Sequence, residues 1–245
     1  MRRAQGFTGR QASAYRAPMN EHLFEPLDAL LFDMDGTLVE TTQAVERCWR
    51  AWAKHYDVDI RRILEICHGR QARTTIRMVA PHLDVEEAAQ NLLERELQEQ
   101  GGINPIPGAA AFLEALEGKP WTIVTSAARP LALHRLKLAG LPVPDLMITA
   151  EDVAEGKPHP GCFLLGAQKL GAAPLRTLVL EDSLAGLEAG RMAGMQTLQI
   201  CASHPPYDEK SPLRCRDYRK ARVLELSPKA PKGAQGFAVE VNLLG

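Results

Sequence analysis

The sequence lacks an uninterrupted apolar run of the ~18 residues that a membrane-spanning helix needs. Aromatic residues make up only 5% of the chain, so platforms for stacking nucleic-acid bases are not expected. The formal net charge of -1 gives no field that would attract nucleic acid or a membrane surface. The five cysteines are scattered and form no CxxC pair, which argues against a disulfide framework and a zinc site. We therefore expect a cytoplasmic protein without nucleic-acid or membrane partners.

With 245 residues, of which 45% are hydrophobic, the chain can form one large domain or one domain carrying an insert. The N-terminal segment contains an arginine pair but no apolar segment, so it does not resemble a secretion signal, and we expect residues 1–26 to be a mostly disordered extension. Translation could also begin at Met19. The core is predicted over residues 27–40 and 105–245, with an inserted cap over residues 41–104.

Short apolar runs, each bounded by polar residues, recur along the predicted core. They are ALLFDM (29–34), WTIVTS (121–126), DLMITA (145–150), TLVLED (177–182) and QTLQIC (196–201). Amphipathic stretches separate them, and these stretches end on glycine, as helices commonly do. This alternation predicts an α/β fold, a doubly wound parallel sheet with helices on both faces. Such sheets bind ligands at the carboxyl ends of their strands.

The segment after the first core strand has helical periodicity instead, over residues 42–56, 59–67, 71–80 and 84–99. A helical cap inserted there is expected to lie above the carboxyl edge of the sheet, with GGINPIPG (101–108) as the return hinge. Trp49 and Trp52 share one helix face and are predicted to be core residues of the cap. Beyond residue 201 we expect a loop over 204–212 and short strands within 221–226 and 236–244.

Polar residues follow the ends of several predicted strands, where a buried apolar run has no packing reason to end in like charges. These residues are Asp33 and Asp35, Thr125 and Ser126, Lys157, and Glu181 and Asp182. In a parallel sheet they converge on one edge, so four carboxylates would gather around one lysine. Such a cluster requires a cation, and carboxylate oxygens suit Mg²⁺. The threonine hydroxyl, the following amides and the lysine would then suit a phosphate group.

Each of these residues also has a purely structural interpretation. The aspartates could form a strand-end turn, Thr125 and Ser126 could be loop residues, and Lys157 could be a solvated charge. The acidic pair could cap the next helix. In the cap, the His68–Arg70 loop could face the cleft and contact substrate or could be an exposed basic pair. Arg129 is expected at the surface, and Arg47, Arg73 and Arg77 are further substrate-contact candidates.

DMDGT, the strand-end TS, GKP and ED resemble, in order, the four motifs of the haloacid dehalogenase-type phosphatases, and the resemblance covers residues 27–201. It implies that Asp33 is the nucleophile that becomes an aspartyl phosphate and that Asp35 is the general acid and base. It implies Mg²⁺ bound by Asp33, Asp35 (through its carbonyl) and Asp182, with Glu181 as a possible further ligand. Thr125 and Ser126 would hold the phosphoryl group, and Lys157 would neutralise it.

Longer stretches, among them ICHGRQA and TAEDVAEGKPHPGCFLLGAQKLG, resemble bacterial sugar- and polyol-phosphate phosphatases. The resemblance implies a small phosphorylated sugar or polyol as substrate, and we expect a monomer or homodimer. Two alternatives remain: a phosphosugar mutase resembling β-phosphoglucomutase, and a non-catalytic binding protein of the same fold. Val45 stands where such mutases carry a histidine, and the intact acidic residues disfavour the second alternative.

Overall fold

The computed structural model of the chain describes residues 20–202, 210, 213–226 and 235–244. The strands are β1 (Glu21–Leu27), β2 (Ala29–Phe32), β3 (Val39–Glu40), β4 (Asn104–Pro105), β5 (Trp121–Val124), β6 (Met147–Ile148), β7 (Thr177–Glu181), β8 (Gln196–Ile200), β9 (Arg214–Cys215), β10 (Arg222–Leu224) and β11 (Phe237–Asn242). The helices are α1 (Thr42–Tyr56), α2 (Ile60–Leu64), α3 (Ala72–Val79), α4 (Val85–Gln98), α5 (Ala109–Ala115), α6 (Arg129–Ala139), α7 (Gly161–Leu170) and α8 (Leu184–Met192).

A six-stranded parallel sheet, in the order β6-β5-β2-β7-β8-β9, forms the centre of the molecule. From β2 the chain builds outward through β5 to β6, and then crosses to the other side of β2 to form β7. The strand order therefore reverses at β2 and β7, and the carboxyl ends of these two strands flank the crevice where such sheets bind ligands. The predicted α/β architecture is confirmed.

Alternate residues of β2 enter two separate cores, as strand geometry requires. Leu30 and Phe32 join a cluster on one face of the sheet that includes Phe112 of α5. Leu31 joins a cluster on the other face that includes Phe163 of α7. Because helices cover both faces, β2 is buried along its whole length, and its continuous apolar sequence follows from that position.

The insert helices, α1–α4, pack around an apolar cluster of their own, separate from the two clusters of the sheet. Trp49 and Trp52 lie in this cluster with 4% and 0% of their surface exposed, so their predicted core role is confirmed. The indole N–H of Trp52 donates a hydrogen bond to the carbonyl of Ala88 on α4. At the base of the insert, β3 pairs with β4, which joins the outgoing and returning chain segments.

A small antiparallel sheet, in the order β1-β11-β10, brings the two ends of the described chain together. Phe24 of β1 and Phe237 of β11 are buried in the main core beside the central sheet. The predicted disordered extension over residues 1–26 is therefore wrong for residues 21–26, which form most of β1 because they pair with β11. Residues 1–19, including Met19, lie outside the described residues.

The five core strands predicted from apolar runs correspond to β2, β5, β6, β7 and β8, each ending within the predicted segment. The two C-terminal strand predictions correspond to β10 and β11, whereas most of the predicted loop over 204–212 lies outside the described residues. Among the described residues, no helix is both long and apolar enough to cross a bilayer.

Candidate active site

The turn after β2 holds the first two acidic residues at the strand-order reversal. The amide of Asp33 still belongs to the sheet, since it donates to the carbonyl of Leu180 at 2.9 Å. Gly36 then turns the chain with a φ of +83°, and its amide donates to the carbonyl of Val39 at 2.7 Å. A Cβ atom at Gly36 would lie 2.1 Å from Oδ2 of Asp182, so both conformation and space require glycine here.

Lys157 lies between two carboxylates. Its Nζ is 2.5 Å from Oδ1 of Asp33 and 2.6 Å from Oε1 of Glu181, and its side chain is 1% exposed. Burial by itself lowers the pKa of Lys157, but the two carboxylates outweigh it and raise that pKa above its usual value. The two carboxylates therefore favour the charged form of Lys157. Burial, together with the charges of Glu181 and Asp35, raises the pKa of Asp33 against the opposing effect of Lys157.

Glu181 is fully buried, and hydrogen bonds engage both of its oxygens. Oε1 accepts from Lys157, while Oε2 accepts from the backbone amide and the hydroxyl of Ser183 at 2.7 and 2.9 Å. Gly186 on the first turn of α8 makes room, since a Cβ there would lie 1.7 Å from Oε1. This arrangement orients Lys157 and leaves Glu181 little capacity to bind a metal ion.

A divalent cation fits the remaining oxygens of this cluster. Asp33, Glu181 and Asp182 each offer a carboxylate oxygen within 4.8 Å of the others. With Glu181 engaged by Lys157 and Ser183, Asp33 and Asp182 are the carboxylates best placed to serve as ligands. Burial and the charges of Glu181 and Asp33 raise the pKa of Asp182 as well. The neighbouring carboxylates repel one another, and a cation between them would relieve that repulsion. Carboxylate oxygens are also the ligands that Mg²⁺ prefers.

Asp35 has different partners from Asp33. Its Oδ1 accepts a hydrogen bond from the hydroxyl of Thr41 at 2.9 Å and lies 2.9 Å from Nη1 of Arg135. The guanidinium of Arg135 also lies 2.9 Å from Oε1 of Glu96, which belongs to α4 of the insert. The side chain of Asp35 is 25% exposed and lines the cavity described below, while Thr41 and Arg135 hold its carboxylate in place.

A cavity of about 650 Å³ lies between the carboxyl edge of the sheet and the insert helices. Asp33, Asp35 and Asp182 line it from the core side. The loop between α2 and α3 closes one of its sides: the hydroxyl of Ser126 donates to the carbonyl of Gly69 at 2.8 Å, and the side-chain amide of Gln71 donates to the carbonyl of Ala150 at 3.2 Å. The insert is therefore docked on the core over the acidic residues.

The residues predicted to contact substrate lie at different depths. Ser126, His68 and Arg70 line the cavity. Thr125 is buried behind it, and its hydroxyl accepts from the amide of Ala127 at 3.1 Å. Desolvation by the surrounding protein lowers the pKa of the His68 imidazole, which favours the neutral ring.

The other candidate arginines differ in their surroundings. Arg47 pairs with Glu99 at 2.9 Å within the insert, and Arg73 pairs with Glu86 at the rim of the cavity. Arg77 is exposed on α3. Arg129 pairs with Asp152 and remains 45% exposed, in agreement with its predicted surface position.

Two charged residues of this site, Arg135 and Glu96, are missing from the sequence-based predictions. A signal for them exists in the helical patterns. On α6 the buried residues Leu131, Ala132, Leu136 and Ala139 form the apolar stripe, and Arg135 lies within it. On α4 the stripe is Ala88, Leu92 and Glu96. A charge inside an apolar stripe must find a partner when the helix packs, and these two helices pack on each other.

Comparisons with known proteins agree with this geometry. The sequence pattern of the family described as "haloacid dehalogenase-like hydrolase" matches residues 27–194. Hexitol phosphatase A of Escherichia coli is 44% identical over 177 residues, which cover 70% of this chain and 82% of that protein. Glycerol-1-phosphate phosphohydrolase 1 of Saccharomyces cerevisiae is 33% identical over 190 residues, covering 72% and 76%. Among solved structures, CbbY from Rhodobacter sphaeroides in complex with phosphate shares the fold, with a TM-score of 0.69, 24% identity and coverage of 79% of this chain and 95% of that chain.

Proposed function

The chain belongs to the haloacid dehalogenase-like hydrolases, and on that premise we propose that it is a Mg²⁺-dependent phosphatase that hydrolyses small sugar or polyol phosphomonoesters through an aspartyl-phosphate intermediate. It is a phosphoric monoester hydrolase of this family. The observation that carries the proposal is the cluster of Asp33, Lys157, Glu181 and Asp182 at the cavity between the sheet edge and the insert helices.

In the first proposed step, a carboxylate oxygen of Asp33 attacks phosphorus while the bond from phosphorus to the ester oxygen breaks. Asp35, protonated at this stage, gives its proton to the departing alcohol and becomes a carboxylate. Lys157 holds Asp33 by its other oxygen and offsets part of the negative charge that develops. The products of this step are the free alcohol and a phosphorylated Asp33.

In the second proposed step, a water molecule attacks the same phosphorus atom and the bond to Asp33 breaks. Asp35 takes a proton from that water, so it returns to its starting state, and inorganic phosphate leaves. The backbone amide of Ser126, whose hydroxyl already donates to Gly69, is proposed to hold a phosphoryl oxygen in both steps. The insert helices are proposed to serve as a lid that excludes bulk water during the reaction.

Asp33, the carbonyl of Asp35 and Asp182 are proposed to hold Mg²⁺. The ion supplies charge neutralisation of the phosphoryl group when it is bound. The site needs this additional positive charge, because Lys157 is already shared by two carboxylates and cannot balance three acidic groups and a phosphate.

The lining of the cavity supports a polyhydroxylated substrate. Beyond the reacting end, its walls carry polar side chains from α4, among them Glu87 and Gln90, and from the loop with His68 and Arg70. Carboxylate and amide groups suit sugar hydroxyls, to which they can bind as acceptors or donors. The volume of about 650 Å³ accommodates a hexose-sized phosphate.

The mutase alternative receives less support from the residues. A mutase must protect its phosphorylated aspartate from water and hold a bisphosphate, and the resemblance to such mutases fails at Val45, which lines the cavity. Within the described residues, the arginine that lines the cavity without an ion pair is Arg70, because Arg73 and Arg135 are paired with carboxylates. A second phosphate would therefore find a single unpaired arginine in the cavity.

The experiment that tests the proposal is a phosphate-release assay on a panel of sugar, polyol and glycolytic phosphomonoesters. We expect turnover of several small sugar or polyol phosphates in the presence of Mg²⁺, and its loss in excess chelator. Restored turnover after Mg²⁺ is added back controls for damage by the chelator. Undiminished turnover in chelator would contradict the metal requirement, and the absence of turnover across the panel would contradict the phosphatase assignment itself.

A further inference from the structure

The strongest unexplained feature of the site is the arginine that joins Asp35 to the insert. Arg135 is 4% exposed, and its two terminal nitrogens are divided between Asp35 of the core and Glu96 of α4, each at 2.9 Å. Glu96 is 9% exposed. The three charges thus form one chain that runs from the candidate proton donor to the lid.

This arrangement is not explained by stability. Within the described residues the Nε of Arg135 is buried and has no hydrogen-bond partner, which is unfavourable for an isolated polar atom. Burial also raises the pKa of Glu96, with Arg135 opposing that effect. Buried charges of this kind are often no more stabilising than apolar side chains of the same volume. Positions 96 and 135 lie within the apolar stripes of α4 and α6, which apolar side chains would continue, so a role in the reaction accounts for the charges better.

The contacts of Asp35 indicate what that role is. Thr41 and Arg135 both bind Oδ1, whereas no hydrogen bond to Oδ2 occurs within the described part of the chain. Oδ2 is therefore the oxygen that is free to face the leaving group. Arg135 therefore selects the oxygen from which Asp35 gives its proton and fixes the rotation of the carboxyl group.

We propose that Arg135 is a positioning residue for Asp35 and that Glu96 anchors it, so that proton donation to the leaving alcohol requires the insert to be docked. When α4 lies on α6, Glu96 holds the guanidinium at Asp35. When the insert lifts, Arg135 loses that anchor and Asp35 loses its fixed orientation. Docking of the lid and alignment of the acid then occur as one event, which suppresses cleavage while the cavity is open to water. This inference rests on the proposed function.

The test compares two substrates that differ in their need for a proton. An alkyl phosphomonoester such as glycerol phosphate releases an alkoxide unless the alcohol is protonated as the bond breaks. The p-nitrophenolate group of p-nitrophenyl phosphate is stable as an anion and leaves without a proton. Because kcat/KM reports only the steps up to departure of the leaving group, later hydrolysis of the phosphorylated enzyme does not affect it.

For Arg135→Met we expect kcat/KM with glycerol phosphate to fall by about 10- to 100-fold, a part of the usual contribution of a general acid. With p-nitrophenyl phosphate we expect kcat/KM to change by less than about threefold, because its leaving group needs no proton from Asp35. Arg129→Met is the matched control, since Arg129 lies on the same helix and pairs with Asp152 instead. It should leave the ratio of the two kcat/KM values unchanged.

Arg135→Met leaves the buried Glu96 without its partner and could therefore destabilise the protein. The double variant Arg135→Met/Glu96→Leu replaces the pair by apolar side chains and removes that problem. It should show the same change in the ratio of the two kcat/KM values as the single variant, because Glu96 acts through Arg135.

The outcomes separate the two proposals. If glycerol phosphate is not hydrolysed, the best alkyl phosphomonoester of the panel takes its place in the comparison. A wild-type protein that hydrolyses no phosphomonoester of the panel would overturn the proposed function and this inference with it. A wild-type protein that hydrolyses both, with variants whose two kcat/KM values fall equally or not at all, would overturn the inference and leave the phosphatase assignment intact. A selective loss with glycerol phosphate in both variants supports the positioning role.

Discussion

Replacement of Asp33 by asparagine is expected to lower kcat by at least roughly 10,000-fold for every phosphomonoester that the wild-type protein hydrolyses. An amide oxygen is a poor nucleophile, so the first step loses its attacking group. The shape of the side chain is retained, and its oxygen can still accept the hydrogen bond from Lys157. We therefore expect the free energy of unfolding to change by no more than about 2 kcal/mol.

Steady-state phosphate release and urea unfolding of the same preparation measure the two effects. Asp145→Asn is the matched control, because Asp145 is exposed near the start of β6 and should retain wild-type turnover. If Asp33→Asn retained more than a tenth of wild-type kcat, with the metal present, the nucleophile would be assigned to the wrong residue.

Replacement of Lys157 by methionine is expected to lower the free energy of unfolding more than the other substitutions described here, and also to abolish turnover. The ammonium group is buried between Asp33 and Glu181, so its removal leaves two carboxylates facing each other without a cation. Breaking a buried ion pair by removal of one partner costs about 3–5 kcal/mol. We expect a decrease of that size in the free energy of unfolding.

The measurement is urea unfolding in the absence of added metal, since a bound cation would offset part of the effect. Lys169→Met is the control, because Lys169 is exposed on α7 and its removal should change stability by no more than about 0.5 kcal/mol. A decrease below about 1 kcal/mol for Lys157→Met would mean that water reaches this group and that it is not the fixed cation of the site.

Much of the site could be predicted from the sequence because local patterns placed its residues. An apolar run that ends in polar residues locates a strand and its carboxyl end together. Asp33, Lys157 and Asp182 are far apart in the chain, yet the rules for parallel sheets bring them to one edge, as the structure shows. The resemblance to a known family added their roles, which remain proposals.

The features that could not be predicted depend on pairing over long distances. Residues 21–26 show no strong strand signal, and they form a strand because β11, at the far end of the chain, pairs with them. Glu181 resembles a metal ligand in sequence, but its neighbours Lys157 and Ser183 engage both of its oxygens. The Asp35–Arg135–Glu96 chain joins three elements, and its partners become evident only when α4 and α6 are seen in contact.

The measurement that tests the central claim most directly is the stereochemical outcome at phosphorus. The substrate is a phosphorothioate monoester that the protein hydrolyses, made chiral at phosphorus with sulfur and two oxygen isotopes. Hydrolysis in water that carries the third oxygen isotope releases chiral thiophosphate. Each in-line displacement inverts phosphorus, so transfer to Asp33 followed by transfer to water predicts net retention of configuration in the thiophosphate released. Net inversion would show that water attacks the substrate directly, and it would contradict a phosphorylated Asp33 on the reaction path.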